Sequence, residues 1–270
     1  MKKQITILLI VVGMLISAGS VKAMSPVGAP STSLEKGEIE LAYDYTEATI
    51  QNIEADLLFG SFFLEDVESQ LSTYTLTCNV ASNLSYFLRF GSVDTQANKD
   101  YNFSEHFRAR DQWNLDTNLL SVGAKANLFT IYKDDKKQEK LTIGFTLQGT
   151  YMKFLGDRVL SYTGNYYGYS YSDSLSVPVT IEMFEGKFAF GPTYTNGKLA
   201  IYGCPVLYYL HGKGNQNFDG YEVPFTIDTT TVLGCLGGSF QITDDLTIRG
   251  EYQFGGNDYK TVSCGLAYKF

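Results

Sequence analysis

The 270-residue sequence predicts an all-β fold, a single antiparallel transmembrane β-barrel of about ten strands, with eight or twelve also open. Two observations carry this prediction. Apolar and polar side chains alternate with period two in many segments, as strands between two different environments require. Beyond the first 23 residues, no stretch approaches 18 consecutive apolar residues, so a membrane crossing would need a closed barrel, which satisfies every backbone group.

The clearest alternation lies in the last 25 residues of the chain. Segment 246–254 alternates apolar with charged or polar residues, and the turn 255–258 joins it to a final strand. That strand carries an apolar or aromatic side chain on one face at every second position: Val262, Cys264, Leu266, Tyr268 and Phe270. Its other face holds small and polar residues, so the two faces are expected to meet different surroundings.

The amino terminus has the pattern of an export signal. Lys2 and Lys3 precede an apolar run over 5–18, and small residues at Val21 and Ala23 indicate a cut after Ala23. An uncleaved membrane anchor is the alternative. We therefore expect a signal peptide over 1–23, a flexible lead-in over 24–35, and the barrel over 36–270.

Connections between the predicted strands fall into two sets. Short turns are expected near residues 82, 136, 196 and 244, the third being an Asn-Gly hairpin signal. Longer polar connections are expected at 51–66, 93–114, 156–176 and 212–223. This alternation is typical of a barrel with one rim in the periplasm and one outside. Near Val232 the apolar phase shifts, which indicates a bulge or a strand that leaves the membrane.

Alternation alone does not say which face points inward. The polar faces carry small residues such as Gly144, Thr146 and Gly265, and only 19% of all residues are charged, which favours a crowded polar lumen and an apolar exterior. The strand ending in Phe270 resembles the carboxy-terminal signature of small Gram-negative outer-membrane barrels of the OmpA- and OmpW-like class. A secreted soluble barrel or sandwich is the alternative.

That resemblance implies an outer-membrane location and surroundings of outer-membrane lipid and lipopolysaccharide. It also implies that the barrel-assembly machinery recognises the last strand during insertion. The residues that carry this expected insertion signature are Val262, Leu266, Tyr268 and Phe270.

Charged residues opposite the apolar faces are expected to form a network in the lumen. They are Glu38, Glu40, Asp44, Arg89, Lys125, Glu182, Arg249, Glu251 and Lys269. Ten strands enclose a packed interior or a narrow path, and buried charges are costly unless paired. We therefore expect a mostly occluded lumen and a structural or surface-interaction role through external loops. A narrow channel for ions or small solutes is the alternative.

Other function classes have less support. Removing 1–23 takes away three lysines and no acid, which moves the net charge from −8 to −11 and disfavours nucleic acid as a partner. The only histidines, His106 and His211, lie in no catalytic motif, so no enzyme is expected, and a hydrolase at the barrel rim is the weaker alternative.

Metal and cofactor sites are also not expected. The four cysteines are widely spaced; Cys204 and Cys235 fall on neighbouring strands, and their disulfide status stays open. The segment 215–220 partly resembles a calcium loop, but Thr226 stands where that loop needs an acid. A surface ligand, if there is one, is not specified by the sequence.

Overall fold

The computed structural model describes residues 26–31, 34–57, 60–104, 107–166, 169–218, 220–256 and 259–270. Within them, ten strands form a closed antiparallel barrel in which each strand pairs with its sequence neighbours and β1 pairs with β10. The strands are β1 (Ile39–Leu57), β2 (Gly60–Ala81), β3 (Leu84–Ser104), β4 (Phe107–Asp134), β5 (Glu139–Tyr166), β6 (Tyr169–Asn196), β7 (Leu199–Phe218), β8 (Tyr221–Gln241), β9 (Leu246–Gly255) and β10 (Lys260–Lys269). The predicted fold class and the count of ten are confirmed. None of the described residues forms a helix long and apolar enough to cross a membrane.

The short turns lie where the sequence predicts them, along one rim. They cover 82–83, 135–138, 197–198 and 242–245, and we call this end of the barrel the turn rim. At the third turn Gly197 has a φ of 54°, a left-handed conformation that glycine adopts without a steric penalty.

The prediction of four long connections at the other rim is wrong. Strand pairing continues through them; for example, β1 and β2 stay in register from Ile39 to the pair Leu57 and Gly60. Polar cross-strand pairs support these extensions, as where Arg110 on β4 donates to Asp100 on β3 over 2.7 Å. The polar composition of these segments predicts loops, whereas the structure shows strands with a polar outer face.

Two portions of the barrel differ in strand number. β9 ends at Gly255 and β10 begins at Lys260, and above these two residues β1 pairs directly with β8 through Ala55 and Ile227. The portion between the turn rim and this level, with ten strands, is called the lower barrel. The portion beyond it, closed by β1 to β8, is called the upper barrel.

In the lower barrel, apolar side chains point outward and form a belt. Leu88 is 41% exposed and Leu147 is 54% exposed, and the rest of the belt shares this orientation, including Leu41, Leu76, Val122, Phe188, Ile201, Leu236, Tyr252 and Leu266. A closed barrel surrounded by an outward apolar belt is the arrangement of transmembrane barrels. Residues on the inner face here are mostly polar, such as Asp44, Thr75, Gln148 and Gln253.

In the upper barrel, the sidedness is reversed. Along β3 the outward residues change from Leu88 and Phe90 to Asp94 and Gln96, while Val93 on the inner face is buried. The inner face of the upper barrel forms an apolar core that includes Val67, Leu71, Ala97, Trp113, Leu115, Phe154, Val179, Ile181, Phe225 and Ile227. This portion is therefore built like a water-soluble barrel, with its apolar residues inside.

The reversal of sidedness also explains why the alternation of apolar residues changes phase near Val232. On β8, Phe225 and Ile227 point inward above it, whereas Val232 and Leu236 point outward. The pairing of β8 with β7 runs without a register shift, so there is no bulge at this point. The second interpretation, a strand that continues beyond the membrane, agrees with the structure.

Candidate functional site

The lower lumen contains a segment of the chain itself. Residues 26–31, which we call the N-terminal segment, lie inside the barrel, where Pro26, Val27 and Pro30 are buried. At the turn rim, Asn79 donates from its side-chain amide to the carbonyl of Leu34 over 2.7 Å. The described residues of the predicted lead-in over 24–35 therefore make specific contacts with the barrel wall.

Glu251 on β9 anchors this segment. One carboxylate oxygen accepts the backbone N–H of Val27 over 2.8 Å and the side-chain amide of Gln253 over 2.6 Å. The other accepts the backbone N–H of Gly28 over 2.6 Å and the hydroxyl of Tyr202 over 2.7 Å. A carboxylate offers about four acceptor positions, so the buried Glu251 is fully hydrogen-bonded and half of its donors come from the segment.

Carbonyl groups of the segment are bound by the opposite wall. Arg89 on β3 donates to the carbonyl of Pro26 over 2.6 Å and also to Thr75 over 3.0 Å. Thr146 on β5 donates to the carbonyl of Ala29 over 3.3 Å. The segment is thus held through its main chain on two sides of the lumen.

An ion cluster lies beside the segment toward the turn rim. Arg249 on β9 donates to Asp44 on β1 over 2.7 Å and lies 3.4 Å from Glu40. The pair reaches across β10 at Gly265, where an added Cβ would lie 2.1 Å from the Asp44 carboxylate. A glycine is required at this crossing because any side chain would displace the ion pair.

Above the segment, the lumen is filled by side chains. Lys187 and Glu185 on β6 are almost fully buried, with 3.6 Å between ammonium and carboxylate, and the Lys187 ammonium lies 5.6 Å from the Tyr208 ring centre. The apolar core follows. Near its upper end Arg158 is ion-paired with Asp111 over 2.6 Å. Lower down, beside the segment itself, a cavity lined by Arg89, Lys125 and Glu251 measures about 30 Å³, room for roughly two waters.

The structure brings together most of the charged residues expected in the lumen. Glu40, Asp44, Arg89, Arg249 and Glu251 lie around the segment as described. Lys125 faces the same cavity, with its ammonium 5.7 Å from the centre of the Phe87 ring. Glu38 and Lys269 form an ion pair of 3.1 Å at the turn rim.

The lumen position expected for Glu182 is wrong. Its side chain points outward and forms an exposed ion pair of 2.8 Å with Lys153. The expectation placed Glu182 opposite the apolar residues Ile181 and Met183, which in the upper barrel face inward rather than outward. Sequence reasoning missed Glu185 and Lys187 for the same reason, since both lie on the same strand face as Ile181.

The residues of the expected insertion signature lie on the belt. Leu266, Tyr268 and Phe270 are exposed on the outer face of the lower barrel, and Val262 is half-buried on the same face. Cys204 and Cys235 are opposite each other across β7 and β8, both buried and both free thiols.

The other candidates from the sequence do not converge into a site. His211 lies on the outer face with its Nδ1 2.6 Å from Asp228, and His106 falls outside the described residues. In the calcium-like segment, residues 215–218 belong to β7 and pair with 221–224 of β8, so they form a strand rather than a metal-binding loop. No group of three or more His, Cys, Asp or Glu in the described part of the chain could hold a metal ion.

A second candidate is a groove on the outer face of the upper barrel, just above the belt. It measures about 810 Å³ and is lined by residues that include Lys153, Glu182, Lys213, Thr226 and Asp56. These five occupy one continuous row across β5, β6, β7, β8 and β1. Farther up, the pKa of the Asp100 carboxyl is below its ordinary value because Arg110 donates hydrogen bonds to it.

No protein-family model and no curated protein matches this sequence. Solved structures of outer-membrane barrels are similar to the chain in overall shape only. They include the outer membrane protease OmpT from Escherichia coli (TM-score 0.46, 9% identity, 93% of this chain and 100% of that one) and OprG from Pseudomonas aeruginosa (0.37, 10%, 87% and 97%). The attachment invasion locus protein Ail of Yersinia pestis is a third (0.32, 13%, 87% and 99%). Likeness at this level says nothing of the activity of this chain.

Proposed function

We propose that this chain is an outer-membrane barrel with a closed lumen that presents the polar outer surface of its upper barrel to a partner outside the cell. The observation that carries the closed lumen is its continuous filling, from the ion cluster through the N-terminal segment to the apolar core. An aqueous channel would need a polar path through the upper barrel, where Trp113, Phe225 and Ile181 instead pack together.

The outer-membrane location is supported by the belt, the export signal and the terminal strand. Apolar outward residues in the lower barrel suit lipid, and the polar outer face of the upper barrel suits water. β3 continues from Ser92 to Ser104, roughly 40 Å along the strand at about 3.3 Å per residue. Even with the tilt that barrel strands have, an extension of this length would stand clear of the lipid surface and be accessible to partners.

The partners expected from the sequence stay predictions. Lipid and lipopolysaccharide would surround the belt, and Lys153 and Lys213 lie directly above it, at the height where anionic headgroups would be. The assembly machinery would recognise the strand that contains Leu266 and Phe270. The surface ligand would use the extended strands rather than the loops expected from the sequence.

Planar-bilayer conductance of the purified chain tests the closed lumen. We expect no reproducible open steps, for the parent protein and for Arg249→Ala, because the apolar core remains in place. Steps of defined size that change with Arg249→Ala would favour the alternative, a narrow channel for ions or small solutes. Folding of each sample is checked by heat-modifiable gel migration.

A further inference from the structure

We propose that the lower lumen is a binding site for an extended peptide, and that the N-terminal segment occupies it as a tethered, exchangeable ligand. This goes beyond the closed barrel proposed above, because a segment that only fills space need not be recognised. A recognised segment differs from a space-filling one in the groups of the barrel wall that bind it. Glu251, Arg89 and Thr146 bind main-chain atoms of four successive residues, 26–29.

Glu251 is placed to bind two consecutive backbone N–H groups. Gly28 has a φ of 74°, and this left-handed conformation beside Val27 turns both N–H groups toward one carboxylate. Successive N–H groups arranged in this way form an anion-binding concavity. Without the segment, the buried Glu251 would lose two of its four donors, so the site favours an occupant of this backbone shape.

The wall of the lumen is shaped for the segment as well. At Gly144 on β5, an added Cβ would lie 2.5 Å from the carbonyl oxygen of Pro30. At Gly28 itself, an added Cβ would lie 2.7 Å from the ammonium of Lys125. The ligand class is therefore a short extended peptide with a glycine of positive φ at the position of Gly28.

Main-chain recognition makes the occupant replaceable. A second peptide of the same sequence would make the same main-chain hydrogen bonds, and the covalent connection to β1, together with the contact of Leu34 with Asn79, favours the chain's own segment. A short covalent connection gives an effective concentration on the order of millimolar. A free peptide would need to reach that range to displace the segment.

The test measures hydrogen exchange at the amides of Val27 and Gly28 in the folded chain that starts at Met24. A synthetic peptide of residues 24–31, added at about 5 mM, should raise their exchange several-fold, as the millimolar tether predicts. The same peptide carrying Gly28→Val should leave exchange unchanged. No effect of the parent peptide, or an equal effect of both peptides, would overturn the proposal.

A variant of the protein gives an independent readout. Glu251→Gln should raise exchange at both amides by about tenfold or more, the loss expected when a charged acceptor is removed. Glu182→Gln, on the outer face, serves as the matched control and should have no effect. If Glu251→Gln does not fold, the peptide competition in the parent protein still decides the matter. We expect no open conductance steps for the parent protein or for either variant. A negative result in the exchange experiments would therefore contradict the peptide site without contradicting the closed lumen.

Discussion

The lower and upper barrels use the same strands with opposite sidedness. Along β5 the outward residues are Leu147 and Tyr151 in the lower barrel, and Lys153 and Asp157, with Leu155 between them, in the upper barrel. The inward residues change from Thr146 and other polar groups to an apolar set. Neither a bulge nor a register shift accompanies the change where β5 pairs with β6, so the backbone is continuous through it.

We attribute the difference to the surrounding medium rather than to the strand itself. Lipid outside the lower barrel favours apolar outward residues, and the small enclosed lumen then collects the polar ones. Water outside the upper barrel favours polar outward residues, and apolar burial then stabilises the interior. Each portion buries what its surroundings disfavour, so each should respond differently to the same kind of substitution.

The largest effect is expected when the ion cluster of the lower barrel is broken. Asp44→Asn removes the main partner of Arg249 and leaves a poorly compensated charge in a closed interior, which should cost about 3–5 kcal/mol of unfolding free energy. Urea unfolding in lipid vesicles measures this. Glu182→Gln, which disrupts only an exposed ion pair in the upper barrel, should not change the midpoint. Equal effects of the two variants would mean that the cluster is not buried as described.

A smaller effect is expected on the outer face of one strand. Leu147→Arg places a charge against lipid and should cost about 2–4 kcal/mol if the site lies near the bilayer centre. Asp157→Arg lies on the same face of β5, ten residues farther along, and should change stability by less than about 0.5 kcal/mol because it faces water. Unfolding in vesicles is again the measurement. Similar costs at both positions would contradict the reversal of sidedness.

Much of the lower barrel could be predicted from sequence because its signals are local. Period-two alternation gives the strands, and Asn196-Gly197 and the other short turns give their boundaries. Val262, Leu266, Tyr268 and Phe270 define one face without any knowledge of their neighbours.

The upper barrel and the N-terminal segment could not be predicted in the same way. The upper parts of β3 and β4 are polar enough to have the composition of a loop. They are strands because they pair with each other, which the sequence of either part alone does not show. The sequence pattern misplaces Glu182 because alternate apolar residues face outward in the lower barrel but inward in the upper barrel. Burial of Val27 depends on Glu251, which lies 224 positions away in the chain. The parity change from Phe90 to Val93 was a signal that could have revealed the reversal.

The most direct test is a labelling scan of β5 in lipid nanodiscs. Single cysteines from 143 to 157, in a chain whose four native cysteines are replaced, carry a fluorophore exposed to either a lipid-attached or a water-soluble quencher. Odd positions up to Tyr151 should be quenched from lipid, and odd positions from Lys153 onward should be quenched from water. Lipid quenching that continues at odd positions through 157, or that moves to even positions above Tyr151, would contradict the two-part barrel.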